Sequence, residues 1–182
     1  MFSMESKKLN SSTLLIAASL LFFAWVVDGV AEGLFTQTES TLPYVVIKEG
    51  TDLVNDAEAA SEKQIPVLMF FSMKHCPFCI EVEEDYLKPM LRNAEYEGKV
   101  IIRKIKIDGI GSLRDFNGKE RDVDEFGDDY NVSMVPTLIL VDSHGKKIAP
   151  AIIGIANSHY YSSELDNAID LSTQKIRTLA RR

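Results

Sequence analysis

Val67-Leu68-Met69-Phe70-Phe71 is an unbroken apolar run opened by Pro66, and Cys76-Pro77-Phe78-Cys79 follows shortly after its end. A short run without polar alternation suits a strand covered on both faces. Cys79, Val82, Tyr86 and Leu87 then recur at helical spacing, so the two cysteines fall where a buried strand gives way to a helix. A strand buried on both faces needs helices above and below it, which selects a layered α/β architecture.

The flanking segments fit that frame. Tyr44 to Ile47 is expected as a short strand, and Thr51 or Asp52 can cap a helix to about Lys63, with Leu53, Val54, Ala57 and Ala60 on one side. Glu81, Glu83, Glu84 and Asp85 are expected to face solvent, and Pro89 to end or kink their helix. Val100 to Ile107 reads as a strand, Asp108 to Arg121 as a polar loop, and Val123, Phe126 and Tyr130 as a short helix. The charged run from Lys119 to Asp129 reads as an exposed helix. Thr137 to Val141 is a strand, Ser143-His144-Gly145 a turn, and Lys147 to Ile153 its antiparallel partner. Leu165, Ala168, Ile169, Ser172, Ile176 and Leu179 mark a last helix with a basic end. The order (β)αβαβαββα implies a parallel core with an antiparallel hairpin at one edge.

The placement of the cysteines carries chemistry. A cysteine opening a helix sits among unpaired N–H groups and the positive end of the dipole, which favour its thiolate. His75 and Lys74 act in the same direction, so Cys76 is expected to ionise below the free value of about 8.5. Cys79 lies one turn on and can resolve a mixed disulfide formed at Cys76. Pro77 in the first turn costs nothing, because the N–H it lacks would be unpaired anyway. A structural bridge is the plainer alternative, but a C-x-x-C loop is too small to stabilise a fold much. Pro136, in Ser133-Met134-Val135-Pro136-Thr137, opens a strand and is a candidate cis-proline.

The amino end is a separate unit. Lys7 and Lys8 precede Leu14 to Val27, which is apolar except for Ser19, and Asp28 ends the run. Residues 1–31 read as a signal peptide cleaved before Glu32 or as a membrane anchor, 32–43 as a polar linker, and 44–182 as the folded domain. Either reading puts the domain outside the cytoplasm, in the periplasm or tethered to the inner membrane of a bacterium, with membrane contact only through the first segment. The chain carries 27 acidic against 20 basic side chains, a net charge of −7, which argues against a nucleic-acid partner. Its two cysteines cannot complete a four-cysteine zinc site, and no calcium-loop spacing occurs in the acidic stretches. His144 and His159 read as surface residues and Met69 as core; Met73 and Met134 could instead line a groove beside the cysteines.

Taken together, these residues resemble the thioredoxin superfamily over about Val45 to Leu179. The insert Asp115-Phe116-Asn117-Gly118-Lys119, with Phe126, Tyr130, Asn131, Val132 and Val135-Pro136-Thr137, is similar to the periplasmic SoxW-like and Thioredoxin_2-type branch. The resemblance implies a thioredoxin-like fold, a central mixed sheet flanked by helices. It implies Cys76 as the attacking and Cys79 as the resolving cysteine, and Pro136 as a cis-proline that, with Val135, holds the substrate backbone. His75, Pro77 and Phe78 are the active-site neighbours, and Gly154 sits where such folds often carry a glycine. Cytosolic relatives carry an aspartate at the position of Phe70, while Lys104 falls near the usual lysine. The implied activity is thiol–disulfide exchange on protein or small thiols by a monomer, in the reducing direction, with no cofactor beyond the Cys76–Cys79 pair and no metal. Its partners are a protein thiol or disulfide and a redox partner, a membrane electron donor being one candidate. The alternatives are an oxidase or isomerase, copper(I) binding by His75, Cys76 and Cys79, and a non-catalytic interaction module.

Overall fold

The computed structural model describes residues 42–109 and 111–181. The leader and all but the end of the linker lie outside the described residues. Among those described, no helix is long and apolar enough to cross a membrane.

The central strand is β1 (Val67–Ser72), and every one of its residues is buried. Its side chains alternate between two cores. Leu68 and Phe70 join Cys79, Val82, Leu87, Leu138, Leu140, Tyr161, Leu165 and Ile169 on one face. Val67, Met69 and Phe71 join Leu53, Ala60, Ile105, Phe126, Ile139 and Val141 on the other. The period of two in a pleated strand divides the run this way.

Helices cover both faces. On one side lies α1 (Val54–Lys63), where the Asp52 carboxylate accepts the Val54 N–H at 3.0 Å. On the other, α2 (Pro77–Glu81) continues through a widened π turn (Val82–Leu87) into α3 (Lys88–Arg92). Pro89 therefore does not end the helix. The Lys88 N–H already reaches back to the Glu83 carbonyl in that widened register, and the chain passes through the proline into one further turn. The last helix, α5 (Ser158–Leu179), is capped by Asn157, whose side chain accepts the His159 N–H at 3.1 Å. It buries Tyr161, Leu165, Ile169 and Ser172, while Leu179 is exposed.

Four strands form the main sheet: β2 (Ile101–Lys106), β1, β5 (Thr137–Val141) and β6 (Ile152–Ile153), in that order. β1 and β2 are parallel, but β1 and β5 are antiparallel, with Phe71 beside Thr137 and Val67 beside Val141. The sheet is therefore mixed at its centre, and the expected parallel core is confined to one strand pair. The chain leaves β2 at the end where β1 also ends. It re-enters at that same end after a hairpin, β3 (Ser112–Arg114) with β4 (Glu120–Asp122), and α4 (Val123–Asp129).

Three local expectations need correction. The segment expected as a loop from Asp108 to Arg121 contains β3 and the start of β4, and the charged run from Lys119 is strand before it is helix, with Phe126 and Gly127 buried. Tyr44 to Ile47 is not a strand, since Tyr44 and Val46 point into solvent. The chain reaches the sheet only at Lys48 to Gly50, which exchange backbone bonds of 2.9 Å with Lys104. Gly50 permits this approach, because a Cβ there would lie 2.5 Å from Ile105 Cδ1. The partner of β5 is broken as well: Lys147 bridges Val141, and regular pairing resumes only at Ile152. Pro150 stands in the gap and has no N–H to give the ladder.

Arg103 ties β2 to α1 through a forked contact, Nε to Asp56 Oδ2 at 2.7 Å and Nη2 to Oδ1 at 2.5 Å. Asp56 is 5% exposed, so its removal leaves a poorly hydrated guanidinium. Asp56→Ala is expected to cost about 3 kcal/mol of unfolding free energy, read from urea titrations of the two proteins.

Candidate active site

The backbone of α2 builds the site from its first residue. Cys76 occupies the N-cap in an extended conformation, Pro77 takes the first helical position, and Cys76 Sγ accepts the Cys79 N–H at 3.2 Å. Its carbonyl accepts the N–H groups of Cys79 and Ile80, each at 3.1 Å. The two cysteines form a disulfide with their Cα atoms 5.2 Å apart. Their surroundings differ. Cys79 is 2% exposed within the core, whereas Cys76 only packs against the edge of that core. Phe78 and Ile80 point outward beside them.

The turn before Cys76 is held in place. His75 is exposed and takes a left-handed backbone conformation, φ 56°. The preceding Lys74 donates its N–H to the Asp108 carboxylate at the end of β2. Sequence reasoning missed Asp108, which was hidden in a segment read only as a loop.

The antiparallel β1–β5 register brings the second segment to the same end of the sheet. Val135-Pro136 is a cis peptide, as expected. Pro136 is buried directly before β5, and its carbonyl accepts the Gly154 N–H at 2.8 Å. Gly154 holds φ 65°, a region that suits a residue without Cβ. Thr137 Oγ1 donates to the Met134 carbonyl at 2.7 Å and closes the loop from within. Val135 packs on the same buried cluster as Cys76 and Cys79. Met73 and Met134 are both exposed, Met69 is core, and His144 and His159 are surface residues.

The acids of the helix do not all face water. Glu84 is half exposed and binds Lys88 at 2.5 Å, but the Glu83 side chain is only 16% exposed and pairs with Lys104. The expectation of four solvated acids fails at Glu83, because a lysine on β2 draws it inward. The hydrogen bond from Glu84 raises the Lys88 ammonium above its ordinary value, against an opposing effect of burial. Burial, followed by Glu81 and Asp85, raises the Tyr86 phenol in the same stretch. Among the described residues no cluster of three or more His, Cys, Asp or Glu side chains is placed to hold a metal ion.

A strand–loop–helix that opens on a cysteine pair, opposite a loop ending in cis-Pro136, defines a protein of the thioredoxin-fold class. The family described as the thioredoxin-like domain, Thioredoxin_2, matches residues 53–169, and the chain belongs to it. No curated protein matches the chain. Among solved structures it is similar to a DsbH oxidoreductase, 18% identical over 75% of this chain and 93% of that one, with a TM-score of 0.48. It is also similar to a poplar thioredoxin h, 17% identical over 64% and 86%, TM-score 0.45. A thioredoxin-fold protein from Helicobacter pylori is 16% identical over 74% and 93%, TM-score 0.43.

The contrast in burial predicts the order of modification. After reduction, limiting iodoacetamide should alkylate Cys76 and spare Cys79, as read by peptide mapping. The dependence of that reaction on pH should give a midpoint below about 8.5.

Proposed function

We propose that this chain is a thiol–disulfide oxidoreductase that acts on polypeptide thiols outside the cytoplasm, and that it works as a reductant. The observation that carries the reading is the unequal pair at the start of α2: Cys76 at the accessible N-cap and Cys79 buried one turn behind it. In the reducing direction, the Cys76 thiolate attacks a partner disulfide and forms a mixed disulfide. Cys79 then attacks Cys76 Sγ, which restores the internal bond and releases the partner as a thiol. Two electrons pass from the dithiol to the partner, so a separate donor must reduce the chain again. Val135 and Pro136 are the residues we assign to holding the polypeptide, with His75, Pro77 and Phe78 framing the contact. Membership of the thioredoxin-like family supports the chemistry. Lys7, Lys8 and the apolar stretch Leu14 to Val27 support export or tethering.

Two measurements on the full-length chain test this. Cys79→Ala should accumulate mixed disulfides with partner proteins on non-reducing gels, and Cys76→Ser should not. Equal trapping by both variants would sink the assignment of roles. Equilibration in thiol buffers should give a potential near the thioredoxin value of about −270 mV. A value between about −180 and −120 mV would instead make the protein an oxidant or isomerase.

A further inference from the structure

The ladder between β1 and β2 makes its last bond just before the cysteines, where the Ser72 carbonyl accepts the Ile107 N–H at 3.0 Å. Beyond it the two chains part. Met73, Lys74 and His75 are all exposed, so little packing holds the stretch that leads into Cys76. Among the described residues, one hydrogen bond fastens the backbone of that stretch: the Lys74 N–H donates to Asp108 Oδ2. Unfavourable features stand on both sides of this bond. His75 has φ 56°, a conformation that a residue with a Cβ adopts at a cost. The other oxygen of the carboxylate, Asp108 Oδ1, is shut off from solvent and has no hydrogen-bond partner among the described residues. Features of this kind persist where the surroundings over-determine them. What the turn delivers is Cys76 in an extended conformation, φ −89° and ψ 107°, with Sγ accepting the Cys79 N–H at 3.2 Å.

We propose that Asp108 is the positioning residue for Cys76: its carboxylate holds the left-handed turn at His75, and the turn keeps Sγ on the Cys79 N–H. The proposal rests on the redox reading above. In the dithiol the same N–H donates to the Cys76 thiolate, and a hydrogen bond to the charged form favours that form. Without the anchor, His75 relaxes out of the left-handed region and Sγ moves off the N–H. The thiolate is then less populated and the reduced form less favoured. Cys76 attacks more slowly, and the chain becomes a stronger reductant. The charge of Asp108 acts the other way, because removing a nearby carboxylate stabilises a thiolate. The sign of the change therefore separates the anchor from the field of the carboxylate.

The test follows the reduced full-length chain in two assays: the rate of Cys76 alkylation by iodoacetamide at neutral pH, and the equilibrium with glutathione. Asp108→Ala should slow alkylation about tenfold, the size of one lost hydrogen bond to a charged group. It should move the equilibrium about tenfold toward the disulfide, a potential about 30 mV more negative. Asp108→Asn keeps an oxygen for the Lys74 N–H and drops the charge, so it should stay within about twofold of the wild type. In a His75→Gly background the left-handed turn needs no anchor, and removal of Asp108 should change either reading by less than about twofold. The same tenfold loss in both backgrounds would mark a general loosening of the fold and overturn the proposal. Faster alkylation with a less negative potential in Asp108→Asn would mark an effect of charge and overturn it too. If Asp108→Ala leaves both readings unmoved, the Asp108 assignment falls while the redox reading stands. A wild type that reaches no reversible equilibrium with glutathione removes both. Should Asp108→Ala not fold, as judged by circular dichroism, Asp108→Glu is read in its place; it keeps the charge and displaces the oxygens, and an unaltered alkylation rate there overturns the assignment.

Discussion

The antiparallel contact between β1 and β5 is the constraint on which the rest depends. Because Phe71 lies beside Thr137, the exit of one central strand and the entry of the other share one end of the sheet. The exit carries the turn into Cys76, and the entry carries Pro136. A parallel β5 would have put the proline at the opposite end, away from the cysteines. Both strands are fully buried, so a slip in their register would turn apolar side chains into the wrong layer. The core thus fixes the geometry of the site as well as the stability of the domain.

Strand β2 uses two adjacent cations differently. Arg103 and Lys104 point to opposite faces of the same edge strand. Arg103 clamps Asp56 of α1, and Lys104 holds Glu83 of the cysteine helix. Both pairs are largely withdrawn from solvent, where loss of one partner is costlier than at the surface. The first pair is remote from the cysteines and anchors a layer. The second joins β2 to the helix that carries the cysteines and puts the Lys104 ammonium 5.9 Å from the centre of the Phe70 ring.

Much of this was legible in the residues because the signals were local. The apolar run of β1, the helix after Cys76, the strand after Pro136 and the periodic face of α5 each carry their own pattern. The place of Pro136 before a strand made it a candidate cis-proline, and the resemblance turned the candidate into an expectation. What escaped depended on distant partners. The β3–β4 hairpin is made of residues such as Ser112, Arg114, Glu120 and Asp122, which carry no apolar alternation. The direction of β5 is decided by where the chain re-enters the sheet. Glu83 is indistinguishable from Glu84 in composition, and only Lys104, contributed by another element, pulls it inward.

The outer strands have a consequence of their own. β6 is two residues long, and β2 carries Arg103, Lys104 and Lys106 along the opposite border. Short or cationic borders deny a free chain the template it needs to add itself as another strand. Among the described residues, the sheet therefore offers little free border to which a polypeptide brought to the cysteines in the proposed reaction could add itself as a strand.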